Sequence, residues 1–237
     1  MIQYDYEGIN LNFYKNDFEN WTKQDEINYN NNEIRQKAKY WFFQNAFDFI
    51  SGNQVMGDYM EFGCHKARTF RMALSEARKK SFDWMNFYAF DSFEGLPEAN
   101  DIDKFPGWEQ GQLKTSEDVF RQIIKEHGVY VDKVKMIKGY YNNTLDSVLA
   151  EEFHLKNTKV ALAYIDCDFY ESAKDVLSFL DDFIQDGTVL AFDDWNTYKS
   201  NPNKGEKKAF AEFKEKSKWK FEEFINYGWM GKSFIAY

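Results

Sequence analysis

The stretch YIDCDFYES at residues 164–172 follows a run of apolar residues, VALA, at 160–163, and closes it with two acids, Asp166 and Asp168. A short, continuous apolar run reads as a strand buried on both faces, the hallmark of a parallel sheet covered by helices. Directly after it, ESAKDVLSFLDDFI (171–184) carries apolar residues at helical spacing, and GTVLAFDD (187–194) is a second apolar strand ending in a second acid pair, Asp193 and Asp194. A strand, a helix and a strand, with acids at both strand ends, is the unit from which the rest of the chain is read.

Outward from that unit, the same alternation recurs. Strands are expected at 58–62, 85–91, 134–139 and 159–166, and helices at 33–51, 67–80, 116–128, 144–153, 171–184 and 205–217. Ser116 is a candidate N-cap and Gly128 a stop for the 116–128 helix. Residues 92–115 read as one long loop. Repeated alternation implies parallel strands joined by right-handed crossovers, with helices on both faces. At the end, WKFEEFINY (219–227) and KSFIAY (232–237) are separated only by GWMG, too short for a crossover, so the last strand runs antiparallel. The fold class is α/β, one domain over 33–237 with a mostly parallel sheet; residues 1–32, polar and aromatic without a clear period, read as a flap or lid.

Totals narrow the function classes. A formal charge of −9 leaves no basic face for phosphates, which excludes nucleic acid as the expected partner. No apolar run approaches the roughly 20 residues of a membrane span, and the polar N-terminus is not a signal peptide. Cys64 and Cys167 sit beside apolar strand ends and are expected to be free, which suits a reducing, cytoplasmic setting.

In a parallel sheet, ligands gather beyond the carboxyl ends of the strands. The polar residues at those ends are Glu61 with Gly63, Asp91 with Ser92, Gly139, Asp166 with Asp168, and Asp193 with Asp194. Gly63 opens a helix alone, without the G-x-G-x-x-G pattern, so a nicotinamide dinucleotide is not expected. A carboxylate at the end of the second strand, Asp91, suits the vicinal hydroxyls of a ribose. Asp166 and Asp168, as residues i and i+2 of an extended chain, are expected to point to one side, roughly 6–7 Å apart. With Asp193 and Asp194 on the neighbouring strand, the four carboxylates would repel unless a hard divalent cation neutralises them, Mg²⁺, Ca²⁺ or Mn²⁺ rather than zinc. The blander alternative is that Asp168 caps the helix starting near Glu171. His65 stands on the first turn and is expected to face the site; His127 and His154 are expected at the surface.

Together YMEFGCHKARTF, YAFDSFEGLPE, IKGYYNNTL, AYIDCDFYES, VLAFDDWN and GEKKAFAEF, over residues 33–215, resemble the macrocin O-methyltransferase-like enzymes, a family of class I S-adenosylmethionine-dependent methyltransferases. The resemblance implies a Rossmann-like, seven-stranded sheet with an antiparallel last strand, S-adenosylmethionine as methyl donor, Mg²⁺ at the acids, and a small-molecule hydroxyl acceptor, often on a sugar. It implies that Glu61 and Gly63 line the methionine part, Asp91 the ribose, Ser92 and Phe93 the adenosine, and Gly139 and Tyr140 the adenine side. It places Asp166 between donor and metal, makes Asp168, Asp193 and Asp194 the metal ligands, and gives one of Asp166 and Asp168 the part of base. Cys64-His65-Lys66 departs from the smaller residues commoner in the first motif, and residues 98–115 match nothing in the pattern. Two other readings stand beside it: a GT-A glycosyltransferase holding Mn²⁺ and a nucleotide sugar at the D-x-D, and a non-catalytic scaffold that kept the fold. A homo-oligomer is compatible with the aromatic residues of the first 50 positions.

Overall fold

The structure, a computed structural model, describes residues 22, 35–106 and 108–237. Apart from Thr22, the segment expected to be a flap or lid lies outside the described residues. Seven strands form one sheet: β1 (Asp58–Phe62), β2 (Phe87–Asp91), β3 (Val134–Lys138), β4 (Val160–Ile165), β5 (Val189–Phe192), β6 (Phe221–Tyr227) and β7 (Gly231–Ala236). Their order is β3-β2-β1-β4-β5-β7-β6. The first five are mutually parallel, and β7 runs antiparallel to both β5 and β6. Of the closing hairpin, β7 takes the inner place and is buried at four of its six positions, whereas β6, at the edge, is exposed or half-exposed at six of its seven.

The described helices of four residues or more are α1 (Lys37–Asn53), α2 (Arg68–Lys79), α3 (Glu117–His127), α4 (Tyr141–Thr144), α5 (Ser147–Leu155), α6 (Tyr170–Leu180) and α7 (Gly205–Lys216). Strand side chains alternate between two cores because successive residues of a strand face opposite ways. Tyr59, Tyr164 and Ala191 join Phe42, Phe70 and Phe120 of α1–α3 on one face. Met60, Ile165 and Phe192 join Phe153, Leu177 and Phe210 of α5–α7 on the other. β1 and β4, central in the sheet, are buried at every position; the unbroken apolar run of β4 requires it, while β1 also encloses Asp58 and Glu61.

Boundaries mostly follow local chemistry. Ser116 caps α3 by accepting from Val119 N–H at 3.4 Å, and Gly128 ends it in the left-handed region at φ 74°. The single helix expected at 144–153 is instead two, because Asp146 turns out of the helical path and caps α5 through Leu149 N–H at 2.9 Å.

The sheet register is what assembles a site. Phe90, Phe62, Ile165 and Phe192 lie in one row across β2, β1, β4 and β5. Gly63, Asp166 and Asp193 continue the ladder one residue further, donating their N–H groups to Phe90, Phe62 and Ile165 at 2.9 Å each. Asp91, Gly63, Asp166 and Asp193 therefore occupy a single rim at the carboxyl end of the sheet.

Candidate active site

Three of the four rim acids form a cluster. One carboxylate oxygen each from Asp166, Asp193 and Asp194 lies within 4.8 Å of the others. This grouping differs from the expected trio of Asp168, Asp193 and Asp194, and the backbone explains why. At Asp168 the chain leaves the extended conformation for the left-handed region (φ 61°), and Phe169 N–H turns back onto Cys167 O at 2.6 Å. The alternation that would have set Asp168 beside Asp166 ends there. Asp168 instead comes against Asp194, whose carboxylate, after burial, does most to raise its pKa. Nor does Asp168 cap the next helix: Asp103 does so from the long loop, accepting from Tyr170 N–H at 2.6 Å and Glu171 N–H at 3.4 Å.

A helix from the start of the chain supplies the counter-charge. Lys39 Nζ of α1 lies 2.5 Å from Asp193 Oδ2 and 3.9 Å from Asp166 Oδ2, and Arg35 reaches Asp193 Oδ2 at 3.4 Å. Tyr164 donates to the other Asp193 oxygen at 2.6 Å. Burial, the largest influence on Asp193, pushes its pKa up, but Lys39 and Arg35 outweigh it and hold the group below the usual carboxylate range. Asp166, Asp168 and Asp194 are pushed up, first by burial and then by the neighbouring acids. A further acid, Glu206 at the start of α7, joins them: it accepts from Asp194 N–H at 2.9 Å, and its pKa is raised well above normal by burial and then by Asp194. Lys39 carried no local sequence signal, and Glu206 lay in the GEKKAFAEF motif without being singled out; both are brought in by helix packing.

The donor set fits a hard divalent cation. It is made of oxygens only, and Asp194 Oδ2 is buried without a hydrogen-bond partner. Asp193 is the more encumbered ligand, since both its oxygens already meet protein groups.

Beside the cluster opens a cavity of about 930 Å³. Gly63, Asp91, Ser92, Gly139, Tyr140, Asp166, Asp168 and Asp194 line it. Asp91 is held by backbone: its Oδ2 accepts from Cys64 N–H at 2.8 Å and His65 N–H at 3.1 Å, its Oδ1 from Phe93 N–H at 2.7 Å. Gly63 has a tighter reason to be glycine than a ligand's approach. At φ 89°, a Cβ there would stand 1.8 Å from the carbonyl oxygen of Asp166.

Three expected residues stay out of the lining. Asp193 lies behind it, against Lys39. Glu61 is fully buried on the α1 side, where Tyr59 and Thr69 donate to its two oxygens, and burial lifts its pKa to about 8. Phe93 packs its ring against Phe120, so only its backbone serves Asp91. In their place Gln36 and Arg68 enter the lining, and Gln36 Oε1 and Arg68 Nε are each buried without a hydrogen-bond partner. His65 lines the cavity and bonds Thr115 Oγ1 through Nδ1 at 3.0 Å. His127 is not at the surface: it is half-buried 3.2 Å from Ser75 Oγ, and burial drops its pKa to about 4. Both cysteines are free and buried. Among the described residues no helix is long and apolar enough to cross a membrane.

A family model described as macrocin-O-methyltransferase (TylF) matches residues 21–232. Among solved structures, the O-methyltransferase NovP superposes with a TM-score of 0.68 at 20% identity, over 84% of this chain and 79% of its own. The calicheamicin methyltransferase CalS11 superposes at 0.67 and 20% identity, over 94% of this chain and 88% of its own. Its apo form, described as a TDP-rhamnose 3'-O-methyltransferase, gives 0.58 at 18% identity, over 94% and 89%. At such identities the likeness is one of fold. No curated protein matches the chain.

Proposed function

We propose, from the premise that this chain belongs to the macrocin-O-methyltransferase (TylF) family, that it methylates a hydroxyl of a sugar or glycosylated small molecule with the help of a divalent cation. The chain is an S-adenosylmethionine-dependent O-methyltransferase of class I fold. The observation that carries the metal part of the reading is the all-oxygen trio of Asp166, Asp193 and Asp194, within 4.8 Å, with a buried oxygen of Asp194 left unpartnered. The sugar part draws on the apo CalS11 structure, described as a TDP-rhamnose 3'-O-methyltransferase. The rival glycosyltransferase reading has no support from the sheet order or the family.

When bound, S-adenosylmethionine supplies an electrophilic methyl, and a cation such as Mg²⁺ at the trio supplies a Lewis acid that eases deprotonation of a coordinated hydroxyl. The protein's own groups do the rest. Asp91 keeps lone pairs free for the ribose hydroxyls while three backbone N–H groups fix its carboxylate. Gln36 Oε1, an acceptor, and Arg68 Nε, a donor, complement the ammonium and carboxylate of the donor's methionine end. Asp168, beside Asp194 rather than within the trio, takes the acceptor's proton; burial brings its basicity nearer to that of a useful general base than an ordinary carboxylate's. Holding donor and acceptor in line supplies much of the acceleration. Lys39 keeps Asp193 ionised and oriented. Two free buried cysteines suit a cytoplasmic setting, and a charge of −9 argues against nucleic acid as partner. The flap or lid over residues 1–32 and a homo-oligomer remain parts of the proposal that bear on acceptor access.

The test is calorimetry with S-adenosylhomocysteine, followed by transfer of labelled methyl with and without EDTA. Binding of the homocysteine product with transfer lost in EDTA and regained with Mg²⁺ is expected. Transfer indifferent to EDTA, and undiminished in Asp194→Asn, would remove the metal from the mechanism.

A further inference from the structure

Residues 92–115, the long loop between β2 and α3, reach back across the cavity to the acid cluster. Two contacts anchor the loop there. Asp103, only 1% exposed, caps α6 through Tyr170 and Glu171 N–H, two and three positions past Asp168. Tyr198, four residues past Asp194, donates its hydroxyl to Asp103 O at 3.0 Å.

This anchoring sets an aromatic group at the mouth of the site. Phe105 and Trp108 have ring centroids 4.7 Å apart. Tyr198 lies 5.2 Å from Phe105 and 5.6 Å from Trp108, at interplanar angles of 72° and 78°, and Phe169 lies 5.8 Å from Trp108 at 66°. None of these contacts is a parallel stack; they are tilted or edge-to-face. Phe105 and Trp108 are half-buried and line the same cavity as Asp166 and Asp168, whereas core aromatics such as Phe42, Phe70 and Phe210 are fully enclosed. Half-open rings beside a row of carboxylates suit a ring with an apolar C–H face and a rim of hydroxyls.

Resting on the methyltransferase reading above, we propose that Phe105 and Trp108 form the acceptor platform, on which a pyranose stacks with its hydroxyl edge toward Asp168. Asp103 is the positioning residue that fixes this platform relative to the acids. The part of the loop that matches nothing in the family pattern, within 98–115, is thereby the element that selects the acceptor.

Saturation-transfer NMR on the full chain with Mg²⁺ and S-adenosylhomocysteine tests this. The probes are the methyl glycosides of rhamnose, xylose and glucose, with catechol as a flat competitor. The wild-type protein is expected to saturate the ring C–H protons of at least one pyranoside. Trp108→Ala is expected to lower its affinity about fivefold, the worth of one aromatic stacking contact, with Trp108→Phe restoring most of it. Phe105→Leu, which keeps apolar volume, is expected to weaken it similarly and covers the case in which Trp108→Ala fails to fold. Throughout, affinity for S-adenosylhomocysteine stays unchanged. Pyranoside binding undiminished in Trp108→Ala and Phe105→Leu overturns the proposal, as does saturation of catechol and no pyranoside. Parallel loss of S-adenosylhomocysteine binding in these variants reduces the cluster to a structural role and also overturns it. A wild-type protein that fails to bind S-adenosylhomocysteine sinks the methyltransferase reading itself, and the platform with it.

Discussion

Lys39 Nζ lies 2.5 Å from Asp193 Oδ2, although 154 positions separate the two residues. Both are almost wholly enclosed, so the pair joins the first described helix to the rim at the carboxyl end of the sheet. Removing one partner of a buried pair strands the other's charge, at a cost of about 3–5 kcal/mol. Lys39→Met is expected to lose stability near the lower end of that range, because Arg35 still reaches Asp193. The double variant Lys39→Met/Asp193→Asn is expected to recover most of the loss. Urea unfolding of the two variants measures this; equal stability of wild type and Lys39→Met would show the pair to be energetically idle.

Asp168 and Asp194 are expected to separate proton transfer from metal binding. Asp168 sits in the left-handed region, which asparagine tolerates, so Asp168→Asn keeps the backbone while removing the proposed base. Methyl transfer is expected to fall about 10²–10⁴-fold, while the Mg²⁺-induced rise in Tm persists. Asp194→Asn is expected to lose that Tm rise. The reverse pattern would exchange the two roles.

Gly63→Ala is expected to damage fold and site together. The new Cβ meets the main-chain oxygen of Asp166, which cannot rotate aside, and φ 89° disfavours any side chain. A loss on the order of 1–3 kcal/mol follows from overpacking alone, with activity falling because Asp166 is pushed from its place. A fully active, equally stable alanine variant would contradict the close approach.

Glu61 gives stability a pH dependence with a definite sign. Its pKa is about 8 in the folded chain against an ordinary 4.5, chiefly through burial. Below pH 4.5 both states hold the proton and Glu61 costs nothing. Between 4.5 and 8 the unfolded chain ionises while the folded one does not, so stability falls as pH rises, by up to a few kcal/mol. The buried acids Asp166, Asp168, Asp194 and Glu206 act in the same direction, so the contrast of interest is between wild type and Glu61→Gln. The difference in Tm between them is expected to widen in favour of the glutamine from pH 5 to pH 8. Affinity for S-adenosylhomocysteine is expected to change little, since Glu61 does not line the cavity; a large loss would return it to the donor site.

Much of this protein is legible along the chain. The unbroken apolar runs of β4 and β5 announce strands buried on both faces, and the acids that end β2, β4 and β5 fall in one rim because parallel strands start their loops on the same side. The four residues GWMG suffice to reverse β7. The limits are as specific. The spacing of Asp166 and Asp168 suggested that they point together, but that inference holds only while the chain stays extended, and Asp168 is where it turns. Glu61 looked like its neighbours at strand ends, yet the parity of β1 turns it toward Tyr59 and Thr69, into the core.

The order of elements, the direction of each strand and the row of polar residues at its end follow from the sequence alone, because burial imprints a period of two or of 3.6 residues on whatever segment it shapes. Which acid meets which cation does not. Lys39, Arg35, Asp103 and Glu206 arrive from helices and a loop far along the chain, and a charge pair between distant segments leaves no periodic trace in either. Packing of α1, α6 and α7 around one sheet edge made that choice.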